Sequence, residues 1–416
     1  MRHASAPCHG TPDSFGGRWS GPAGRLAGAN GCVRSAPLLR NLLRRLTCEA
    51  ESQTCSSANL HARTVSGSAS ARCASPVRVR PAVVQSRARR GGDTVPEAPT
   101  QDEVLSWFDT LSNWGRWGED DTLGTLNLIT PEKRRQAASL VRDGVSVSCS
   151  RVIPWRGAAM AGANPNITMA QSGERYVLGD EVPDPDFPGE NALQWAGEQI
   201  SLLFHGFIFT HIDGLGHVFF RGQMYNGRSA GLITTSEGAQ VQTSDVMRDG
   251  IMSRGVLLDI ARLRGVETLD PADGVYPEDL EAAEEAQGVR VEEGDVLLLR
   301  TGYGALIEAA NAAGAEPPME HSGYHVACMP WIRERGVALL GSDVVNDMSE
   351  RPYPKTRLPV HELALVAMGL RLIDNAHLER LAEACAERGR WEFCFTLNPL
   401  RLERGTGSPA NPIATL

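Results

Sequence analysis

No apolar run in the 416 residues is long enough to cross a bilayer, so the chain offers no candidate transmembrane helix. Cysteine is sparse and scattered. Five of the nine (Cys8, Cys32, Cys48, Cys55 and Cys73) fall before residue 92, and Cys149, Cys328, Cys385 and Cys394 lack the short spacings of a thiolate metal site. That pattern argues against a disulfide framework and against cysteine-bound zinc. Positive charge is also short. A net charge of −9 disfavours nucleic acid and anionic membrane as main partners, because both reward a basic surface. Lysine is missing altogether from residues 1–92, where fourteen arginines face three acids, Asp13, Glu49 and Glu51.

That early stretch is rich in Ser, Ala, Gly and Arg and poor in periodic apolar residues, the composition of a disordered or processed leader. Two readings stay open for it: an Arg-rich, acid-poor organellar transit peptide, and an extension without function. Leu38 to Leu46 (LLRNLLRRL) would form one short basic amphipathic helix, which favours targeting, and nothing in it has a secretory pattern. Without targeting, the protein would be cytoplasmic. The folded region is expected over residues 93–416, a length that one α/β domain accommodates.

What the chain does hold is a concentration of imidazole and carboxylate over His205–His217 (HGFIFTHIDGLGH), where an apolar run gives way to glycine. On an extended strand alternate side chains share a face, so His211 and Asp213 point one way with Ile212 buried behind them. Gly214 and Gly216 let the backbone turn tightly and return His217 to the same place. Two readings compete: core histidines satisfied beside a structural aspartate, and a divalent-metal site. The cost of burying a carboxylate with nothing positive beside it favours the second.

Elsewhere the pattern alternates between helix and buried strand. Thr100-Gln101-Asp102-Glu103 is a capping box opening a helix through Trp107 and Phe108, and Thr130-Pro131-Glu132 opens a second. Between them Asn113–Gly124 (NWGRWGEDDTLG) is neither helical nor extended by period. It is either a packed N-terminal arm or an aromatic wall over a small-molecule pocket, the latter making Trp114 and Trp117 substrate-binding residues. A strand is expected over Val145–Val152, a long lid-like surface excursion over Pro154–Pro188, and a strand from Gln199 to Asp213 with a bulge at Gly206. Gly255–Ile260 and Gly294–Arg300 read as strands buried on both faces. The helix between them, Pro277–Gln287, would end at Gly288 and carry Glu278, Glu281, Glu284 and Glu285 on a solvated face. A helix from Trp331, a strand to Ser342, a helix over Leu378–Glu387 and a strand over Trp391–Leu397 complete a layered α/β order.

The run Thr210–His217 (THIDGLGH) resembles the signature of the metal-dependent cyclase family, His-x-Gly-Thr-His-x-Asp-x-x-x-His, a group that includes kynurenine formamidase and isatin hydrolase. The Thr-His-x-Asp-x-x-x-His part is intact, whereas the signature's first histidine and its glycine fall on Phe207 and Phe209. His205, two residues earlier, substitutes only if the strand is bulged, because on a straight strand it would sit about 20 Å from His211. A weaker resemblance covers Val337–Asp343 and His361–Asn375 (HELALVAMGLRLIDN). In the family a histidine opening such a helix and an acid ending the next strand supply the remaining metal contacts, which assigns His361 and Asp374 to the metal. The acid is usually glutamate, so the shorter Asp374 would weaken a second ion. Asp343, just past its strand, would orient a ligand histidine or serve only as a cap.

The resemblance implies a swivelling β/β/α fold: a single layered domain with a mixed central β-sheet and flanking helices, assembling as a homodimer or homotetramer. It also implies a Zn or Mn ion held by His211 and Asp213, with His217 as general acid and base because imidazole titrates near neutral pH. The reaction would be hydrolysis of a small amide, formamide or lactam. A metal-dependent cyclisation or dehydration, and a non-catalytic binding module in which Phe207 has disabled the site, are the alternatives.

Overall fold

Apolar residues at consecutive rather than alternating positions mark strands covered on both faces. The computed structural model, which describes residues 97–155, 165–177, 195–313 and 315–416, places such runs at the centre of its sheet. In chain order the strands of that sheet are β1 (Ser146–Ser148), β2 (His211–Asp213), β3 (Ile251–Asp259), β4 (Val296–Arg300), β5 (Leu339–Ser342), β6 (Arg371–Asp374), β7 (Glu392–Leu397), β8 (Gly407–Pro409) and β9 (Ile413–Thr415). They lie in the order β1-β9-β7-β3-β4-β5-β6-β2-β8. Strands β3 to β6 are parallel, with Val296 opposite both Gly255 and Leu339, and Leu339 opposite Arg371. The flanking strands pair antiparallel, so the sheet is mixed, as expected.

The two faces bury different residues of the same strands. Val256, Leu258, Leu297, Leu299, Leu340 and Leu372 join one core with Leu280, Trp331 and Leu363. Leu257, Val296, Leu298, Leu339 and Ile373 join another with Leu381, Cys385 and Phe393. All described residues fall in one compact unit, Ala82–Leu416. The readings made for residues 1–92 lie outside the described residues. No helix among the described residues is long and apolar enough to cross a membrane.

Helix starts follow the caps read from sequence. The Thr100 side chain accepts from Glu103 N at 3.3 Å while Glu103 Oε2 accepts from Thr100 N at 2.7 Å, opening Gln101–Thr110. Thr130 caps Pro131–Ser139 in the same way, with proline at the first position.

Four expectations need correction. The strand at Val145–Val152 shortens to three residues because Cys149 N turns to Pro412 O. The described part of the Pro154–Pro188 excursion is not loop throughout: Asn166–Gln171 pairs antiparallel with Gly197–Ser201, and the remainder lies outside the described residues. Gln199–Asp213 is consequently not one strand, since its first part belongs to that ladder and the chain joins the main sheet only at His211. Finally, Glu284 is buried rather than solvated. It sits one turn after buried Leu280, and it accepts from Val291 N at 2.6 Å and pairs with Arg335 at 2.9 Å.

His361 lies at the start of a helical segment that continues as a π-helix over Glu362–Met368 and ends at Gly369, with φ of 64°. The carbonyls freed at its end are gathered by one arm: Trp114 Nε1 donates to Val366 O at 2.7 Å, Asn113 N to Ala367 O at 2.9 Å and Asn113 Nδ2 to Met368 O at 2.8 Å. Gly369 presses on the Tyr225 ring, where an added Cβ would lie 2.5 Å from Cε2. Gly369→Ala therefore combines left-handed strain with overpacking, and we expect a loss of about 2–4 kcal/mol, read as a fall in melting temperature of about 5–10 °C.

Candidate metal centre

Strand β2 is three residues long, yet its pairings determine the site. Ile212 is fully buried, which leaves His211 and Asp213 on the opposite face. Asp374 of β6 lies directly opposite His211, so it shares that face. Gly214 N bonds Thr406 O so closely that a Cβ would stand 2.7 Å from that oxygen, and the turn closes with His217 N on Gly214 O at 3.1 Å.

His205 arrives by a different route from the bulge anticipated. Gly206 has φ of 125°, and Asn375, itself at φ of 56°, donates to Gly206 O at 2.6 Å and Phe209 O at 3.2 Å. Thr210 Oγ1 donates back to Asn375 O at 2.6 Å. The folded-back loop stacks the His205 ring on His217 with centroids 3.7 Å apart and 6° between planes. The 20 Å separation of a straight strand collapses to a 5.3 Å centroid distance from His211.

Asp213 is the hub. Its Oδ1 lies 3.0 Å from His205 Nδ1, 3.5 Å from His211 Nε2 and 3.9 Å from His217 Nε2, and its Oδ2 lies 3.6 Å from His361 Nε2. Asp374 Oδ2 stands 3.2 Å from His361 Nε2 and 3.8 Å from His211 Nε2. His211, Asp213 and Asp374 bring one donor atom each within 4.8 Å of one another, and so do His205, Asp213 and His217. Of the residues named from sequence, the fold thus brings together His205, His211, Asp213, His217, His361 and Asp374.

Asp343, Trp114 and Trp117 make their described contacts outside this cluster. The Asp343 carboxylate accepts from Thr301 N at 2.9 Å, Thr301 Oγ1 at 2.8 Å and Gly302 N at 2.9 Å, pinning the turn after β4. Trp114 caps the π-helix as described, and Trp117 packs against the core that contains Leu257 and Phe393. The residue that orients a histidine is Asp347, which sequence reasoning passed over. Its carboxylate accepts from Val360 N at 2.8 Å, His361 N at 3.1 Å and His361 Nδ1 at 2.6 Å. Asn346, at φ of 54°, donates to Asp374 Oδ1 at 2.6 Å. The available signal was an Asn-Asp pair one turn past a strand end, where a side chain commonly caps the next helix.

Electrostatics test whether a cation fits. His211 Nδ1 faces Phe209 O at 2.8 Å and must donate to it, so in the neutral ring the Nε2 lone pair points at the two carboxylates. Asp213 Oδ2 is buried with no hydrogen-bond partner. Burial alone would raise Asp213, yet His217, His205, His211 and His361 hold it well below the usual carboxylate range. Burial would likewise lower His361, but Asp374 and Asp347 outweigh it and hold the imidazole well above the usual histidine range. The cluster is thus short of positive charge and gathers lone pairs. Oxygen and imidazole donors without thiolate fit a divalent ion. We expect Asp347→Asn to weaken divalent-ion retention about 10–100-fold in a competition titration with a chelating dye, and Asp343→Asn to leave it unchanged.

No curated protein matches the chain in sequence. A solved structure described as a novel cyclase is 32% identical, covers 74% of this chain and 99% of its own, and superposes with a TM-score of 0.65. An isatin hydrolase bound to the product analogue thioisatinate is 18% identical over 68% of this chain and 96% of its own, with a TM-score of 0.44. The family model described as "Putative cyclase" matches residues 137–346, half of the sequence, a span that contains His205, His211, Asp213 and His217. With that match and the 32% identity to a cyclase along nearly its whole length, the chain belongs to the cyclase family.

Proposed function

We propose that this protein is a metal-dependent hydrolase of a small amide, formamide or lactam, with His211, Asp213, His361 and Asp374 holding the ion. The observation that carries this reading is Asp213: a fully buried carboxylate with one unpartnered oxygen and imidazole nitrogens of four histidines around it. Zn or Mn suits these donors. When bound, such an ion polarises a carbonyl and lowers the pKa of water.

The remaining chemistry belongs to His217. Its side chain is 30% exposed, against 1% for His211 and 5% for His361, so it stands at the open edge of the cluster. Burial outweighs the pull of Asp213 and lowers its pKa, which leaves a neutral imidazole at pH 7 able to take a proton. Stacking on His205 fixes its plane. Asp213 Oδ1, 3.9 Å from His217 Nε2, stabilises the imidazolium formed when His217 takes a proton from the attacking water. His217 then returns that proton to the leaving nitrogen as the C–N bond breaks.

Loaded with Zn or Mn, the full chain is expected to turn over members of a panel of N-formyl aromatics, small amides and lactams. His217→Ala is expected to keep the ion, by elemental analysis, while lowering kcat by about 10²–10⁴-fold. Asp213→Asn is expected to lose both. Turnover that survives metal stripping together with His217→Ala would overturn the proposal.

A further inference from the structure

Near the cluster, within the electrostatic reach of Asp343 and Asp374, lies a buried cation. Arg151 follows β1, and its guanidinium makes no salt bridge among the described residues. Its partners are backbone carbonyls: Nη1 donates to Phe207 O and Ile208 O, each at 3.2 Å, and Nη2 to Asp343 O. The Arg151 Nε is buried without an acceptor. Burial lowers its pKa to about 10, which still leaves it charged at neutral pH. Asp343 and Asp374 act on it only through space, without ion-pair contact: the Asp343 oxygens accept from Thr301 and Gly302, and Asp374 faces the histidines. Carbonyl dipoles hold the guanidinium in place but do not neutralise it. A guanidinium desolvated to this degree is normally found against a carboxylate or another anion.

A second unpartnered atom lies beside it. His321 is 5% exposed; Ser349 Oγ accepts from His321 N at 2.8 Å and its hydroxyl donates to His321 Nδ1 at 2.7 Å, which puts the proton of the neutral ring on Nε2. Its Nε2 is buried with no partner. Burial and the nearby Arg151 push His321 down to about 4, so the ring is neutral and adds no charge of its own. The surroundings are aromatic. Tyr303 meets His321 edge-on with centroids 5.7 Å apart, Phe207 stands 6.2 Å away, and the Arg151 Cζ lies 5.8 Å from the Tyr303 centroid. Phe207 occupies the place where the family signature has its first histidine, and in this chain it faces His321. Two buried polar atoms without partners among the described residues, one of them on a cation that makes no ion pair there, flanked by rings, describe a site for an anionic group.

We propose that Arg151 and His321 form an anion subsite beside the metal centre, which takes a carboxylate carried by a small, ring-bearing ligand. As a substrate subsite it rests on the hydrolase function proposed above; as an anion subsite it does not. Arg151 supplies the charge and His321 Nε2 a directional hydrogen bond.

The test titrates the full chain with benzoate and with benzamide, which have the same shape and differ in charge, by ligand-observed NMR. Titrations are run with Zn present and after chelation. The wild type is expected to bind benzoate about tenfold more tightly than benzamide in both states. The preference should vanish in Arg151→Met, persist in Arg151→Lys, and shrink in His321→Phe. Equal affinity for the two probes, no binding of benzoate, or a preference that survives Arg151→Met would overturn the subsite. A preference that disappears on chelation would place the carboxylate on the ion, overturning the subsite while supporting the metal centre. Absence of bound Zn by elemental analysis, with the benzoate preference intact, would overturn the hydrolase function and leave the subsite standing. The wild-type comparison decides even where a variant does not fold.

Discussion

A carboxylate removed from water must be repaid by positive charge or by hydrogen bonds to both oxygens. Asp213 has neither in full: Oδ1 is shared among three imidazoles, and Oδ2 has none within hydrogen-bonding distance. That imbalance organises the protein around it. The short strand that carries Asp213 is held by pairings to Asp374 on one side and Gly407 on the other. Asn346 and Asn375, both in left-handed conformations, then hold Asp374 and the loop before β2. Asparagine tolerates this conformation better than most residues, and such positions collect at sites that must be preorganised.

The site also explains the irregular helix beside it. His361 receives Asp347 at its ring nitrogen while the same carboxylate caps the first turn, so imidazole and helix start are positioned by one group. The segment then runs as a π-helix, whose wider turn leaves end carbonyls that the Asn113-Trp114 arm gathers. A buried carboxylate–imidazole pair of this kind fixes the tautomer and direction of a histidine, which is what an ion requires of its second layer of contacts.

Much of the scaffold was legible in the sequence. The parallel centre announces itself as consecutive apolar residues at Val256–Leu258 and Val296–Leu299, and the helix starts as Thr100 and Thr130 with their partners. The His211, Asp213 and His217 geometry followed from strand alternation and two glycines. What could not be read were contacts made by irregular backbone. His205 reaches the cluster through Gly206 and Asn375, residues 169 positions apart, and periodicity carries no information about such a bond. Asp347 and Asp343 are four residues apart and chemically identical; only the fold decides that one caps the His361 helix and the other the Thr301 turn. Glu284 teaches the same lesson, since its charge assigned it to solvent and tertiary packing took it for the scaffold.

The proposed function requires a cation between Asp213 and Asp374. The most direct measurement is anomalous diffraction from crystals of the protein grown with zinc, recorded on either side of the zinc absorption edge. The expected result is a peak bounded by His211, Asp213, His361 and Asp374. Crystals that diffract well and show no peak there, or show zinc only at surface residues, would contradict it.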